Sequence, residues 1–513
     1  MAEHVFEKQD VIQRLEAQRG KTLGDIDNRG IFLKVQQFTR QKGVAGCIVE
    51  QCIFGYNPDS KQEADLVILD GDKAVKTELK TTGMEVNPKP SKHFVAKEPM
   101  SITAVGVYDI GEQEFFTSHF WEKLEHMLIV YYHYASSRPV SPYEYKDFPL
   151  VGYEFHEFDQ EDMEVLKNDW EQVQKLCKEV VSQFPGPKDK QWKEEVKQAY
   201  IDAHGSLRSV LSYVDLSPRF PPRFRLKKPT VSAMISNHFG YSLEQLPGRY
   251  TAVTDIDRKL QELTALHRGK TIAALAREFS VPYDKNRENK GIYEQIVVAM
   301  FGGTSKKLNQ IALFEKFGLI AKSIALTAEG GRTEDMKLFR ADFDEFTQEE
   351  FMGEDGCPRK FQFEDSELYT YFADHALLCI VFQEPPVSRH KLGDNIFLGF
   401  KRLVFTDNFI DNTVKLLWED TRDKVKNKTL RDVVRYKQNG EPIVNKSGEI
   451  SSAPNFMKSS DNEVFIRGSG ADASLKSKTE CVNGIKMLPQ WVWIRGDTIV
   501  QKLKESPDLH LIP

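Results

Sequence analysis

What this 513-residue chain lacks narrows its class before any motif is read. It has no apolar run long enough to span a bilayer, which excludes a membrane-embedded protein. The first residues, Met1-Ala2-Glu3-His4-Val5-Phe6-Glu7-Lys8, carry no basic region ahead of an apolar core, so no export signal is visible. Cysteine is scarce. Cys47, Cys52, Cys177, Cys357, Cys379 and Cys481 are scattered, without the paired spacing of a zinc site or the density of a secreted disulfide scaffold. The expected setting is the cytoplasm, with reduced thiols. Nor is positive charge in excess. A net charge of −6 argues against indiscriminate coating of nucleic acid and leaves room only for local basic patches. Arg422, Lys424, Lys426, Lys428, Arg431, Arg435 and Lys437 form one such patch.

Against these absences stand 40% hydrophobic and 28% charged residues, the balance of a globular chain able to bury cores. The length suggests more than one domain. Words recur along the sequence. Arg19-Gly20-Lys21-Thr22-Leu23 returns as Arg268-Gly269-Lys270-Thr271-Ile272, at an offset of 249 residues. Lys42-Gly43-Val44 returns as Lys290-Gly291-Ile292 at 248, in each case ahead of an amphipathic helical pattern (45–54 and 293–301). Val75-Lys76-Thr77-Glu78-Leu79-Lys80-Thr81 aligns with Ala321-Lys322-Ser323-Ile324-Ala325-Leu326-Thr327 at 246, and Trp170 with Trp418 at 248. A near-constant offset of this size means a duplicated domain rather than a solenoid repeat. The breakers Leu246-Pro247-Gly248-Arg249-Tyr250 place the boundary near residue 250, giving domains 1–250 and 251–513. Each copy mixes helices with short strands, so the class is α/β or α+β.

The stretch with chemistry in it runs from Asp65 to Lys80. Two runs of β-type alternation flank an Asp70-Gly71 turn signal and read as a hairpin. A two-residue loop places Asp65 opposite Lys76; a four-residue loop places it opposite Glu78. Either way, period-two alternation keeps Asp65, Glu78 and Lys80 on one face. Two carboxylates and an ammonium on one face suit a hard divalent cation beside a lysine that holds a water or a phosphate. The second copy has lost this set. On the offset above, Ile324 and Leu326 stand for Glu78 and Lys80, and Ile311-Ala312-Leu313-Phe314 stands for the region of Asp65. Catalysis is therefore expected in the first copy.

In order along the chain, the motif from Lys42 to Glu50, then Asp65, Glu78-Leu79-Lys80 and the motif from Thr117 to Leu124 resemble MutH, the mismatch-repair endonuclease family that nicks at GATC. The segment from Phe224 to Ala233 resembles that family's C-terminal segment. The tandem as a whole resembles two-domain, GATC-cutting type II restriction endonucleases related to MutH. The resemblance implies tandem restriction-endonuclease-like domains, each a mixed central sheet flanked by helices. It implies Mg²⁺ held by Asp65 and Glu78 with the Leu79 carbonyl, Lys80 positioning the attacking water, Lys123 at the scissile phosphate and Glu50 near the metal. Val298 replaces Glu50 in the second copy. His119 is read as a structural neighbour.

For double-stranded DNA, the expected contacts are Lys227, Lys228, Thr230 and Ser232 in the first copy. In the second copy they are Arg467, Lys476, Lys478 and Arg495, with Trp493-Ile494-Arg495 matching Arg225-Leu226-Lys227. The loop that reads bases in the family corresponds here to residues 201–223, which are short and unlike it. The expected function is a Mg²⁺-dependent restriction endonuclease whose second copy binds DNA and activates the first. A DNA-induced dimer and a companion DNA methyltransferase go with that expectation. The alternatives are a non-cleaving reader of methylation state and a MutH-type strand-nicking repair enzyme.

Overall fold

The structure, a computed structural model, describes residues 4–37, 43–56, 64–87, 93–136, 140–285, 289–332, 334–352, 358–387, 390–445, 448–470, 472 and 474–505. Lys42 and Cys357 lie outside these residues.

The first half is built on a mixed sheet with the order Val5–Glu7, Leu66–Asp70, Lys73–Asn87, Met127–His133, Leu150–His156. His93–Ala96 pairs with the far end of Lys73–Asn87. The hairpin pair and the last pair are antiparallel, and the other two are parallel. Met127–His133 is apolar almost throughout and buried on both faces, as a strand between two helical layers must be. Leu128 and Val130 pack on the layer carrying Val11, Leu15, Val44 and Ile48. Met127, Ile129 and Tyr131 face Val165, Trp170, Val173 and Val231. Most of those come from Gln160–Ser182, a helix capped by the Asp159 side chain and apolar along one stripe.

The second half repeats this plan. Leu319–Leu326, Ala376–Gln383 and Ile396–Leu403 run in the same directions as the last three strands of the first sheet. Both copies interrupt their final ladder at the same place, between Tyr131 and Tyr132 and between Val381 and Phe382. A small antiparallel sheet also recurs. Met100–Ala104, Arg223–Leu226 and Val214–Leu216 in the first copy answer to Met336–Arg340, Gln490–Ile494 and Val464–Gly468 in the second. Lys227 and Arg495 then begin the helices Lys228–His238 and Gly496–Lys504.

The ladders correct one correspondence. Tyr131 aligns with Val381 at the bulge, so Met127, which pairs with Glu78, aligns with Leu377, which pairs with Ile320. Lys80 therefore corresponds to Lys322, and Glu78 to Ile320, instead of Leu326 and Ile324. The sequence offset misses by four residues, an even slip that leaves every side chain on its proper face and so goes unnoticed in the pattern. Among the described residues the sheet of the second copy has no counterpart of the first hairpin strand. Residues 311–314 open the short helix Ala312–Lys316.

The halves meet over a continuous core. One cluster of buried side chains runs from Met84 through Tyr213 and Ile235 to Phe317 and Phe400. Tyr213 packs edge-on against Phe317 at 5.1 Å, and Lys316 reaches Asp162 at 2.6 Å. Among the described residues no helix is long and apolar enough to cross a membrane.

Candidate active site

The hairpin closes with Asp70 opposite Lys73, leaving Gly71 and Asp72 in the turn, and Gly71 adopts the left-handed backbone (φ +62°) that favours glycine. Its ladder pairs Leu66 with Thr77. Continued by one residue, that register sets Asp65 opposite Glu78: the turn is two residues long but is Gly71-Asp72, one residue beyond the expected Asp70-Gly71, and that shift moves the partner of Asp65 from Lys76 to Glu78. Strand Leu66–Asp70, held between Val5–Glu7 and Lys73–Asn87, follows directly on the Asp65 carboxylate, while Lys73–Asn87 runs beside the buried central strand and carries Glu78 into the interior. Glu78 is 4% exposed.

Four side chains converge there. Lys80 Nζ donates to Glu78 Oε1 at 2.9 Å and Lys123 Nζ to Glu78 Oε2 at 2.6 Å. Asp65 accepts the Leu79 backbone N–H on Oδ2 at 3.0 Å. Lys123 comes from a different element, the short helix His119–Glu122, whose N-terminus is capped by Ser118 Oγ accepting from Trp121 N. Phe115, Phe120 and Trp121 bury that helix against the core, so the Lys123 stem is held and only its ammonium reaches the site. Burial, and then the neighbouring Glu78 carboxylate, push the Asp65 carboxyl up to about 6, while Lys123 and Lys80 pull it down. Two carboxylates forced together out of water are stable only with positive charge between or beside them. The lysines supply it here, and a divalent cation fits the same donor chemistry. Asp65 and Glu78 would hold such a cation once the Glu78 oxygens exchange an ammonium for it. Among the described residues no group of three or more His, Cys, Asp or Glu is gathered to hold a metal ion.

Glu50 lies half-buried on a π-helical turn, Val49–Phe54, that continues Val44–Ile48 on the same side of the sheet as Leu79. His119 is exposed, with Nδ1 3.4 Å from Glu122, and Lys76 joins Glu122 from the strand at 3.2 Å. A residue missed from the sequence is His4, whose ring nitrogen bonds the Asp65 carbonyl at 3.0 Å and so fixes the backbone that presents the carboxylate. Nothing in the sequence around a lone histidine near the N-terminus signals that role.

The second copy holds a different set at the matching place. Lys322 Nζ donates to the Lys337 carbonyl at 2.8 Å, and burial lowers its ammonium to about 8. Ile320 replaces the carboxylate and is directly preceded in the chain by Leu319. The pair Lys80-Thr81 against Lys322-Ser323 is a signal in the sequence that could identify this lysine, but the constant offset sets Lys322 against Lys76 instead.

The residues expected at DNA divide in two. Lys227, Thr230 and Ser232 are interior, at 6%, 1% and 4% exposure. Lys227 Nζ donates to the Leu211 carbonyl at 2.7 Å, Thr230 Oγ1 to the Lys316 carbonyl at 2.8 Å, and Ser232 Oγ accepts from Ala96 N at 3.1 Å. They join elements of the fold, and the expectation that they touch DNA is corrected: basic and hydroxyl residues at a helix start resemble a surface site whether or not neighbours cover them. Lys228 is half-buried, 3.2 Å from Glu85. Arg467 pairs with Asp335 at 2.8 Å and lies 4.0 Å over the Trp493 ring; Arg495 pairs with Asp497 at 2.8 Å. Lys476 is exposed, and Lys478 donates to Ser452 Oγ at 2.9 Å.

Residues 54–169 match the sequence model of the DNA mismatch repair enzyme MutH. That span includes Asp65, Glu78, Leu79, Lys80 and Lys123 and leaves out Glu50 and the 227–232 segment. The chain is also 23% identical, over 471 residues, to the type II restriction enzyme Sau3AI of Staphylococcus aureus, covering 85% of this chain and 89% of that one. The second likeness extends through both halves, the first through the buried carboxylate site alone.

Proposed function

We propose that this chain, a MutH-like restriction endonuclease and site-specific deoxyribonuclease, cuts double-stranded DNA at GATC with Mg²⁺ held by Asp65 and Glu78. In this reading residues 1–250 are the catalytic domain, and residues 251–513 are a degenerate copy that binds DNA and activates the first. The observation that carries it is the cluster of Asp65, Glu78, Lys80 and Lys123 in the first copy, at a place where the second copy repeats three strands of the main sheet and the small antiparallel sheet. The GATC site rests on the MutH resemblance.

Mg²⁺, when bound, would polarise the phosphodiester, lower the pKa of a water and neutralise charge building on the phosphate oxygens. The protein's own groups divide the remaining work. Glu78 and Asp65 would hold the cation. Lys80, which donates to Glu78 Oε1, would orient the attacking water. Lys123, which donates to Glu78 Oε2, would meet the scissile phosphate. For Glu50 the role near the metal rests on the MutH resemblance alone; the Leu79 backbone aligns Asp65 through its N–H, and its carbonyl would be a further ligand to the cation. The working environment is the cytoplasm, with a DNA-induced dimer as the acting form and a methyltransferase protecting the host's sites.

The test is cleavage of a GATC-containing plasmid with Mg²⁺ by the Glu78→Ala variant, where a loss of at least about 10³-fold is expected. Undiminished cutting sinks the assignment. Metal-dependent cleavage by the purified parent excludes a non-cleaving methylation reader. A linear product from a one-site plasmid, in place of a nicked circle, excludes the partner-dependent nicking reading, which the built-in second copy already disfavours.

A further inference from the structure

Between the helix Lys415–Lys426 and the strand Val464–Gly468, the second copy carries a β-arm. The first copy has helix Lys190–Ala203 at that point in the chain. Asp432–Val434 pairs antiparallel with Ser452–Pro454. Beyond that root the chain branches: Tyr436 bridges to Pro442 and Val444 to Ile450. Backbone bonds tie the branches, from Ile443 N to the Arg435 carbonyl at 2.8 Å and from Ser451 N to the Ile443 carbonyl at 2.7 Å. Gly440 and Gly448, both with φ +84°, turn the chain at the tips.

The alternation of side chains across these pairings puts Val434, Tyr436, Val444 and Ile450 on one face. That face has no cover. Tyr436 is 61% exposed, Val444 56% and Ile450 55%. Apolar side chains on a free β-ribbon are an aggregation hazard unless something meets them. The arm is nevertheless held firmly at its root. There Lys478 donates to Ser452 Oγ at 2.9 Å and Arg431 N to Asn455 Oδ1 at 2.8 Å, and one tip is tied too, by Leu475 N donating to Glu449 at 2.8 Å.

Charge selects the occupant. From Arg422 to Lys437 there are seven Lys and Arg against two Asp, in a chain whose net charge is −6. Lys428, Arg431 and Arg435 are exposed and have no side-chain hydrogen bond or ion pair among the described residues. Lys437, by contrast, is taken up by Glu441 at 3.2 Å. Two such arms would repel, which disfavours a second copy of the chain on this face. A polyanion with apolar groups in a groove satisfies both features.

We propose that the arm of residues 431–445 and 448–455 enters the major groove of double-stranded DNA. Tyr436, Val444 and Ile450 would face the base edges, and Lys428, Arg431 and Arg435 the flanking phosphates. The major groove admits a two-stranded β-ribbon and presents thymine methyl groups, which apolar side chains read. This rests on the reading that the second copy binds DNA and names the surface with which it does so.

The test uses the full chain with Glu78→Gln, to prevent cutting, and fluorescence anisotropy on duplexes with and without GATC over a range of salt. Arg431→Gln with Arg435→Gln should weaken binding about tenfold and reduce the salt slope by about 2, one for each phosphate that the protein no longer neutralises. Tyr436→Ser with Val444→Ser and Ile450→Ser should leave the slope unchanged and lower the preference for the GATC duplex. Parental affinity, slope and preference in both variants would overturn the arm. So would a change of oligomeric mass in the apolar variant with DNA binding intact, which makes the face an interface between copies. Failure of the underlying reading looks different: the parent's own footprint would then cover DNA against residues 1–250 alone.

Discussion

Lys227, which its sequence context marks as a DNA contact, is a buried ammonium that attracts the buried Asp169 carboxylate. The Asp169 carboxylate accepts backbone N–H bonds from Ser212, Tyr213 and Val214 at 2.7, 2.7 and 2.9 Å. Burial pushes it up to about 6, and burial likewise lowers the Lys227 ammonium, each opposed by the attraction of the other. Breaking one side of such a pair leaves an uncompensated charge, which costs about 3–5 kcal/mol. Lys227→Met should lower the unfolding free energy by about that amount in a urea titration, and adding Asp169→Asn should return part of it, a coupling that neighbours in contact show. Unchanged stability in the single variant would make Lys227 a DNA-facing residue after all. At Lys80 and Lys123, which hold Glu78 by one oxygen each, a different outcome is expected. Lys123→Met should leave a folded protein whose cleavage rate falls by at least about tenfold, measured with saturating Mg²⁺.

Among elements, the pair of helices Phe343–Thr347 and Glu367–Asp374 provides a pH test. Glu345 on the first accepts the Glu367 backbone N–H at 2.9 Å. Its carboxyl is pushed up to about 8 by burial, then by the Glu367 carboxylate and by Asp342, against the pull of Lys97 from the first half. The folded chain therefore holds a proton at Glu345 between the ordinary value of 4.5 and about 8 that the unfolded chain has released. Stability attributable to this group is present at low pH and lost as pH rises through that window. Glu345→Gln keeps the acceptor and removes the charge, so its melting temperature should exceed the parent's by a margin that widens from pH 5 to pH 8. A margin independent of pH would contradict the shift. At this scale the sequence was partly legible. Period-two alternation around Asp70-Gly71 showed the hairpin and the shared face of Asp65, Glu78 and Lys80, because alternation is set by the backbone alone. Register was not legible, because a slip of four residues preserves that face, and Lys322 was misaligned for this reason. Burial of Lys227, Thr230 and Ser232 was hidden too, since it depends on Ala96, Leu211 and Lys316, which arrive from distant parts of the chain. The β-arm was not legible beyond the basic patch at its start, because its exposed apolar residues are dispersed among Lys, Asn and Gly.

For the whole molecule, the shared core decides how the halves behave. Arg208 pairs with Asp407 and Arg219 with Asp365, both across the boundary, and Arg402 donates to the Ser209 carbonyl at 2.9 Å. With Tyr213 on Phe317 and one apolar cluster through both copies, cutting near residue 250 would expose surface in each half. A single cooperative calorimetric transition is expected for the full chain, and two resolved transitions would show independent domains. The same contacts give activation a physical route, provided DNA at the second copy favours one arrangement of this boundary over another. A coupling of this kind is typically about 1–3 kcal/mol, or roughly 5- to 150-fold. Under that scheme a short GATC duplex added in trans should speed cleavage of a one-site plasmid by a factor in this range. Arg219→Gln, which removes a bridge between the halves and touches neither the carboxylate cluster nor the β-arm, should shrink the stimulation while the unstimulated rate stays near the parent's. If stimulation survives intact in that variant, and in Arg208→Gln beside it, the coupling does not pass through this boundary and must run through the bound DNA itself.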